Sequence, residues 1–101
     1  MIMREWRGRA GAEQTEAYPD HFHRVVMPEL RGRAGFLGAY LGRRPIDDEI
    51  EFVVLTRWES MEAIKAFAGE DPARAVVDAR AAATLRDFDA TVQHFDVIEE
   101  I

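Results

Sequence analysis

The sequence contains no cysteine among its 101 residues, so it can form neither a disulfide bond nor a thiolate metal site. Long apolar runs are also missing, and none approaches the ~20 residues that a membrane-spanning helix needs. The N-terminal residues 1–6 lack the regions that make up a signal peptide. These absences predict a cytoplasmic protein that does not enter a membrane.

Motifs for nucleotide and metal binding are missing as well. Neither a P-loop nor a dinucleotide-binding glycine pattern is present, and there is no G-x-S-x-G nucleophile. His21 and His23 stand two residues apart, and on a helix that spacing points the two side chains in nearly opposite directions. We therefore interpret both as surface histidines. The sequence predicts no cofactor and no metal ion.

Basic residues are outnumbered by acidic ones, with 13 Lys and Arg against 19 Asp and Glu. The formal net charge is −6, and apart from the pair Arg43-Arg44 the arginines are scattered singly along the chain. Binding to nucleic acid depends on neutralising phosphates with clustered Lys and Arg side chains. We therefore expect no nucleic-acid partner.

What the chain does contain is a regular alternation of strands and helices. The N-terminal part predicts a strand over residues 2–9, a helix from Ala12 to Leu30 and a strand from Phe36 to Arg43. Pro19 and Pro28 lie within the helix, where each removes a backbone donor and crowds the carbonyl four residues earlier. This helix should therefore bend or break at one point at least.

The segment Glu51–Trp58 is the most strongly apolar strand. Phe52 to Leu55 are four consecutive apolar residues, and in a strand they point alternately to both faces of the sheet. Both faces must therefore be covered. A chain of 101 residues supplies helices for only one face, so the other face is predicted to meet a second subunit. Ser60 then caps a helix that ends near Gly69.

The C-terminal part predicts one more helix and one more strand. Asp71 and Pro72 have the pattern of an N-cap and a first helical residue, so the helix is expected to extend to Arg86. The last strand is expected from Phe88 to about Ile98. The resulting βαββαβ order is the ferredoxin-like motif, an α+β fold with helices on one face of an antiparallel sheet and with the first and third strands central.

In this topology the last strand pairs with the first, which brings His94 near residues 4–6. An imidazole beside Arg4 could accept a proton or stabilise a developing oxyanion. A hydrogen-bonded structural residue at a subunit contact is an equally good interpretation. Alternation along the strand places Arg4 and Trp6 on one face and Glu5 and Arg7 on the other, and the sequence does not decide which pair faces the helices.

Three segments together resemble the antibiotic biosynthesis monooxygenase family. They are Glu5-Trp-Arg-Gly8, the run from Glu51 through Trp58 and Ser60 to Phe67, and Val92-Gln-His-Phe-Asp-Val97. The resemblance covers essentially the whole chain and implies a single domain over residues 1–101. It further implies a homodimeric α+β barrel with a pocket between each sheet and its helices. Characterised members include monooxygenases that oxidise aromatic polyketides without metal or flavin, and many relatives have no established activity.

The resemblance leads to a functional hypothesis. We expect a cofactor-independent monooxygenase that oxidises a small electron-rich aromatic, such as a hydroquinone or an anthrone, with dioxygen. The alternative is a non-catalytic small-ligand-binding or stress-response dimer of the same fold. The candidate residues are His94 as general base or hydrogen-bond donor, Arg4 or Arg7 as the group that holds an anionic intermediate, and Tyr40, Trp58 and Phe67 as substrate-binding walls.

One branch of the family degrades haem through an Asn, a Trp and a His. The corresponding positions in this sequence are Arg7, Phe67 and Val77, and all three depart from that pattern. Without a histidine at Val77 to ligate iron, haem degradation is not expected.

Overall fold

The computed structural model describes all residues from Met1 to Ile101. None of its helices combines the length and the apolar character needed to cross a membrane. The elements follow in the order β1 (Ile2–Gly11), α1 (Ala17–His21), a π-helical turn (Phe22–Val26), α2 (Met27–Arg31), β2 (Phe36–Ile46), β3 (Glu49–Trp58), α3 (Met61–Ala68), α4 (Ala79–Ala82), β4 (Asp87–Phe88) and β5 (Gln93–Asp96).

The strands form one antiparallel sheet with β1 and β3 at its centre. The order across the sheet is β2-β3-β1, and the short strands β4 and β5 both pair with the remaining edge of β1. The central pair is in register from Ile2 opposite Trp58 to Gly11 opposite Glu49. This arrangement confirms the predicted ferredoxin-like α+β fold and the central position of the first and third strands.

The helices cover only one face of this sheet. Along β1 the even-numbered residues Arg4 and Trp6 are buried towards the helices, and on β3 so are Phe52, Val54 and Trp58. The odd-numbered residues of both strands therefore form the opposite face, which we call the open face. Strand alternation thus puts Arg4 and Trp6 on the helix side, while Glu5 and Arg7 lie on the open face.

The buried apolar residues form two clusters under the helices. The main cluster consists of Trp6, Ala10, Tyr18, Phe22, Phe52, Val54, Ala81 and Val92. The end cluster consists of Leu30, Trp58 and Ile64. Tyr18 and Leu30 come from opposite ends of the first helical segment, so this segment runs across the sheet from one cluster to the other. Val26 and Ala39 pack against both clusters.

The first helical segment departs from regular α-helix between its two prolines. It begins at Ala17, later than the predicted Ala12, and changes to a π-helical turn at Phe22–Val26. The N–H of Met27 donates to the carbonyl of Phe22, five residues back instead of four. This wider turn ends at Val26, two residues before Pro28, whose ring would crowd the carbonyl four residues earlier in a regular α-helix. The predicted irregularity is therefore present, as a widened turn.

The helix predicted from Pro72 to Arg86 is wrong for most of its length. Only Ala79–Ala82 is helical, and its N-cap is Asp78, which accepts from the N–H of Ala81 at 2.8 Å. The backbone before it pairs instead with the C-terminal segment: the N–H of Val92 donates to the carbonyl of Ala73 at 2.8 Å. Pairing with a distant segment has thus replaced local helical hydrogen bonds.

The predicted last strand, Phe88 to Ile98, is also interrupted. It is divided into β4 and β5, and residues 90–92 between them pair with the segment before α4 rather than with β1. Arg9 fixes β4 to the sheet through hydrogen bonds to Asp87 and Asp89, both at 2.8 Å. The prediction was therefore right in the pairing partner of the strand and wrong in its continuity.

Candidate active site

A cavity of about 230 Å³ lies between the sheet and the helices. It spans both core clusters: Trp6 and Tyr18 of the main cluster line it, and so do Leu30 of the end cluster and its neighbour Phe67. Eleven of the sixteen lining residues are hydrophobic. Pockets for drug-sized ligands measure ~300–1,000 Å³. The volume and the lining therefore suit a smaller, largely apolar molecule.

Arg4 supplies a positive charge at the end of the cavity beside Phe67, which we call the arginine end. Only 5% of Arg4 is exposed, and its guanidinium carbon lies 5.9 Å from the centre of the Phe67 ring. The guanidinium donates to the carbonyls of Pro72 and Arg74 and contacts His94, so it has no carboxylate partner. Burial lowers the pKa of Arg4 to about 10, so it remains charged at neutral pH.

His94 stands behind Arg4 rather than in the cavity wall. The topology predicted His94 near residues 4–6; it faces Arg4 across the β1–β5 pair, and Arg4 Nη1 lies 3.0 Å from His94 Nε2. A guanidinium can only donate, so Nε2 must be the acceptor and the imidazole is neutral. Burial lowers the pKa of His94, and the charge of Arg4 lowers it further. His94 therefore helps to orient Arg4.

Polar groups also meet at the other end of the cavity, beside Tyr18, which we call the histidine end. Here His21 Nε2 lies 3.8 Å from Asp78 Oδ1, and the His21 side chain is only 9% exposed. The hydrogen bond from the Ala81 N–H lowers the pKa of Asp78 despite partial burial, and Arg80 and His21 lower it further. The Asp78 carboxylate is therefore ionised beside the imidazole.

The remaining candidates divide between the two faces of the sheet. Phe67 lines the cavity, whereas Trp58 does not and is fully buried beneath it, stacked on Phe67 at 5.3 Å between ring centres. Tyr40 and Arg7 both lie on the open face, where Tyr40 is 66% exposed and Arg7 pairs with Glu51 at 3.0 Å. The structure therefore brings together Arg4, Phe67 and, indirectly, His94.

Sequence reasoning missed the histidine end. The prediction of surface histidines is right for exposed His23 but wrong for His21, which faces the cavity. The signal in the sequence was the spacing of three between Tyr18 and His21, which puts both on one side of a helix. The partner Asp78 left no such signal, because it comes from a distant segment that was predicted to lie inside a helix.

The three positions of the haem-degrading pattern do not form a site here either. Phe67 and Val77 line the cavity, while Arg7 lies on the opposite face of the sheet in an ion pair. No histidine stands at position 77. The cavity thus has neither the asparagine nor the histidine of that pattern.

Solved structures with this fold include several oxygen-using enzymes. SnoaB, a cofactor-independent oxygenase from Streptomyces nogalater, is 19% identical with a TM-score of 0.63, over 99% of this chain and 94% of SnoaB. A monooxygenase from the gene ActVA-Orf6 of Streptomyces coelicolor, in complex with nanaomycin D, is 18% identical with a TM-score of 0.56, over 93% of this chain and 82% of the other.

A third similar structure is that of MhuD from Mycobacterium tuberculosis, a haem-degrader with two haems bound in its active site. It is 22% identical, with a TM-score of 0.55 over 100% of this chain and 99% of MhuD. At these identities the likeness concerns the fold. No curated protein matches the chain.

The family model described as antibiotic biosynthesis monooxygenase matches residues 1–79, which include β1 to α3 and the cavity-lining residues Arg4, His21, Phe67 and Asp78. This chain belongs to the antibiotic biosynthesis monooxygenase family.

Proposed function

We propose that the protein is a cofactor-independent monooxygenase that oxidises a small electron-rich aromatic, of the hydroquinone or anthrone type, with dioxygen. The observation that carries this proposal is the buried cation Arg4, which faces an apolar cavity without a carboxylate partner. Leaving a charge unpaired in the interior is costly, and an anionic ligand would offset that cost. An aromatic that loses a proton in the cavity becomes such an anion.

This oxidation requires few functional groups from the protein. Once deprotonated, an electron-rich ring can itself pass electrons to dioxygen. One oxygen atom of O₂ then becomes bonded to a ring carbon, and the other leaves as water with two hydrogens from the substrate. The protein has to stabilise the anion, orient it and exclude bulk water. Arg4 and the apolar walls supply these functions, and His94 holds Arg4 in place.

Family membership and the fold shared with SnoaB, a cofactor-independent oxygenase, support this proposal. A homodimer belongs to the same proposal. The open face carries Tyr40, 66% exposed, and Phe95, 44% exposed, beside the half-buried Val53 and Leu55 of β3. It also holds the Nε of Arg57, which is buried without a hydrogen-bond partner. A second copy packed on this face would bury the apolar side chains and could offer the Arg57 Nε an acceptor.

The proposal is tested with an oxygen electrode and three probes: anthrone, 1,8-dihydroxyanthrone and 1,4-dihydroxynaphthalene. We expect enzyme-dependent oxygen consumption, one O₂ per oxidised product, with at least one probe. Arg4→Gln should lower kcat/KM by about 10²–10³-fold, the usual effect of removing one group that stabilises an oxyanion. Arg4→Lys keeps the charge and should retain part of the activity.

Arg31→Gln is the matched control, because Arg31 is exposed and lies outside the cavity. Circular dichroism and urea unfolding establish that each variant is folded before its rate is compared. Saturable binding of the probes without oxygen consumption above the spontaneous rate would contradict the monooxygenase. That outcome would favour the alternative, a dimer of this fold that binds a small ligand without catalysis.

A further inference from the structure

The two polar ends of the cavity differ in chemistry. The arginine end holds a fixed cation, whereas the histidine end holds an imidazole beside an ionised carboxylate. Apolar walls separate them, among them Trp6, which packs on Tyr18 at 5.6 Å between ring centres. A ligand that lies along the cavity would thus meet a cation at one end and a proton acceptor at the other.

The other titratable groups around the cavity are poor proton acceptors. His94 does not line the cavity, and its Nε2 already accepts from Arg4. Burial raises the pKa of Tyr18, and the charge of Asp78 raises it further, so this hydroxyl stays protonated. Glu29 is exposed at the rim and lies 3.4 Å from the guanidinium of Arg33. His21 is therefore the one cavity-lining side chain with an imidazole that can accept a proton.

On the basis of the function proposed above, we infer that His21 is the general base of the reaction, that Asp78 positions it and that Arg4 receives the charge at the far end of the substrate. In anthrone, the C–H bond at one side of the central ring breaks and the proton goes to the His21 imidazole. The electron pair of that bond delocalises through the ring to the oxygen on the opposite side, next to Arg4. The negative Asp78 stabilises the imidazolium that forms.

This arrangement selects a substrate class. The group that loses the proton and the oxygen that gains the charge have to lie at opposite ends of one conjugated system. Anthrones and 1,4-hydroquinones have this geometry, whereas a 1,2-diol carries both oxygens at one end. The two-ended cavity therefore favours 1,4-related substrates over 1,2-related ones.

The test uses anthrone under nitrogen, where no oxygenation takes place. A base at His21 should accelerate exchange of the anthrone ring-CH₂ hydrogens with D₂O, measured by mass spectrometry. We expect His21→Gln to slow this exchange by about 10²–10⁴-fold, the usual contribution of a general base. Quenching of tryptophan fluorescence by anthrone should show nearly unchanged binding, because Arg4 and the apolar walls remain.

Two further variants serve as comparisons. His23→Gln makes the same change at an exposed position two residues away and should exchange at the wild-type rate. Asp78→Asn keeps an N-cap for α4, since Asn caps helices as well as Asp, but removes the charge beside His21. It should therefore lose part of the exchange rate while α4 stays folded.

The outcomes separate this inference from the proposed function. If the wild type does not accelerate exchange, or if His21→Gln exchanges at the wild-type rate, His21 is not the base, even if oxygen is consumed in air. If exchange depends on His21 but no oxygen is consumed in air, the base assignment stands and the monooxygenase proposal fails. Equal kcat/KM for 1,4-dihydroxynaphthalene and 1,2-dihydroxynaphthalene would overturn the substrate class.

Discussion

Glu51 shows how a single residue can hold a charge on the open face. Its side chain is only 8% exposed, and it accepts from Arg7 at 3.0 Å and from Arg44 at 2.9 Å, with Arg9 at 3.4 Å. Burial alone would raise the pKa of Glu51, but the hydrogen bonds from Arg44 and Arg7 outweigh it, so the pKa lies below its ordinary value. The carboxylate is thus a junction between β1, β2 and β3.

The lowered pKa gives a pH-dependent prediction. The unfolded pKa of a glutamate is ~4.3, so the ionised carboxylate stabilises the fold above that pH and the contribution is lost as the pH falls through the folded-state value. Glu51→Gln should lower the free energy of unfolding by ~1.5–3 kcal/mol at neutral pH. The difference from wild type should shrink below pH ~4.3.

Urea unfolding at a series of pH values measures this difference. Glu70→Gln, an exposed carboxylate, is the control and should follow the wild-type curve. A constant gap between Glu51→Gln and wild type through the acidic range would show that Glu51 acts through its shape rather than its charge.

At the same scale, the cavity residues show what sequence alone can tell about a site. The position of His94 near residues 4–6 followed from strand order, because strand partners are set by topology, and the structure adds that Arg4 is its partner. His21 was misplaced because its environment depends on Asp78, which is 57 positions away and reaches it only through the path of a loop. Contacts within elements and along strand pairs could thus be predicted, and contacts made by irregular segments could not.

Among the elements, α3 packs closely against Gly35, the glycine that precedes β2. Gly35 has a φ of +81°, and a Cβ there would lie 2.6 Å from the Cβ of Ala63 on α3. Gly35→Ala should therefore destabilise the protein by ~1–3 kcal/mol, as overpacking generally does. Since α3 carries Phe67, the variant should also weaken anthrone binding.

Gly32→Ala is the matched control for this variant. Gly32 has a φ of −82°, and its nearest neighbour would be 3.8 Å from an added Cβ, so alanine fits without strain. We expect its unfolding free energy to stay within ~1 kcal/mol of wild type or to rise slightly. Equal losses for the two variants in urea unfolding would refute close packing at Gly35.

The elements that were predicted well are those with a strong local pattern. β3 was recognised by its apolar run, and α3 by the Ser60 cap, whose oxygen accepts from the Ala63 N–H at 3.2 Å. The segment 72–78 has helix-favouring residues at its start, yet its carbonyls are used by Arg4 and its backbone pairs with the C-terminal part. Long-range hydrogen bonds outweighed local propensity there.

At the scale of the whole molecule, the proposed dimer can be tested directly. Sedimentation equilibrium should give a dimer at micromolar concentration. Tyr40→Glu places a charge at the 66% exposed open-face tyrosine and should raise the dissociation constant by at least about tenfold, or ~1.4 kcal/mol. Ala66→Glu, on the exposed surface of α3, is the control and should not change it. A wild-type monomer at micromolar concentration would rule out the dimer.

The hydrogen bonds of Arg4 have a consequence for the order in which the protein folds. They join Arg4 on β1 to groups 68, 70 and 90 positions later in the chain. Contacts of such long sequence separation form late, because a large loop must close before they can be made. The arginine end therefore stays incomplete until the segment that contains His94 has paired with β1. Under the proposed function, competence to bind an anionic aromatic is therefore among the last properties that the chain acquires as it folds.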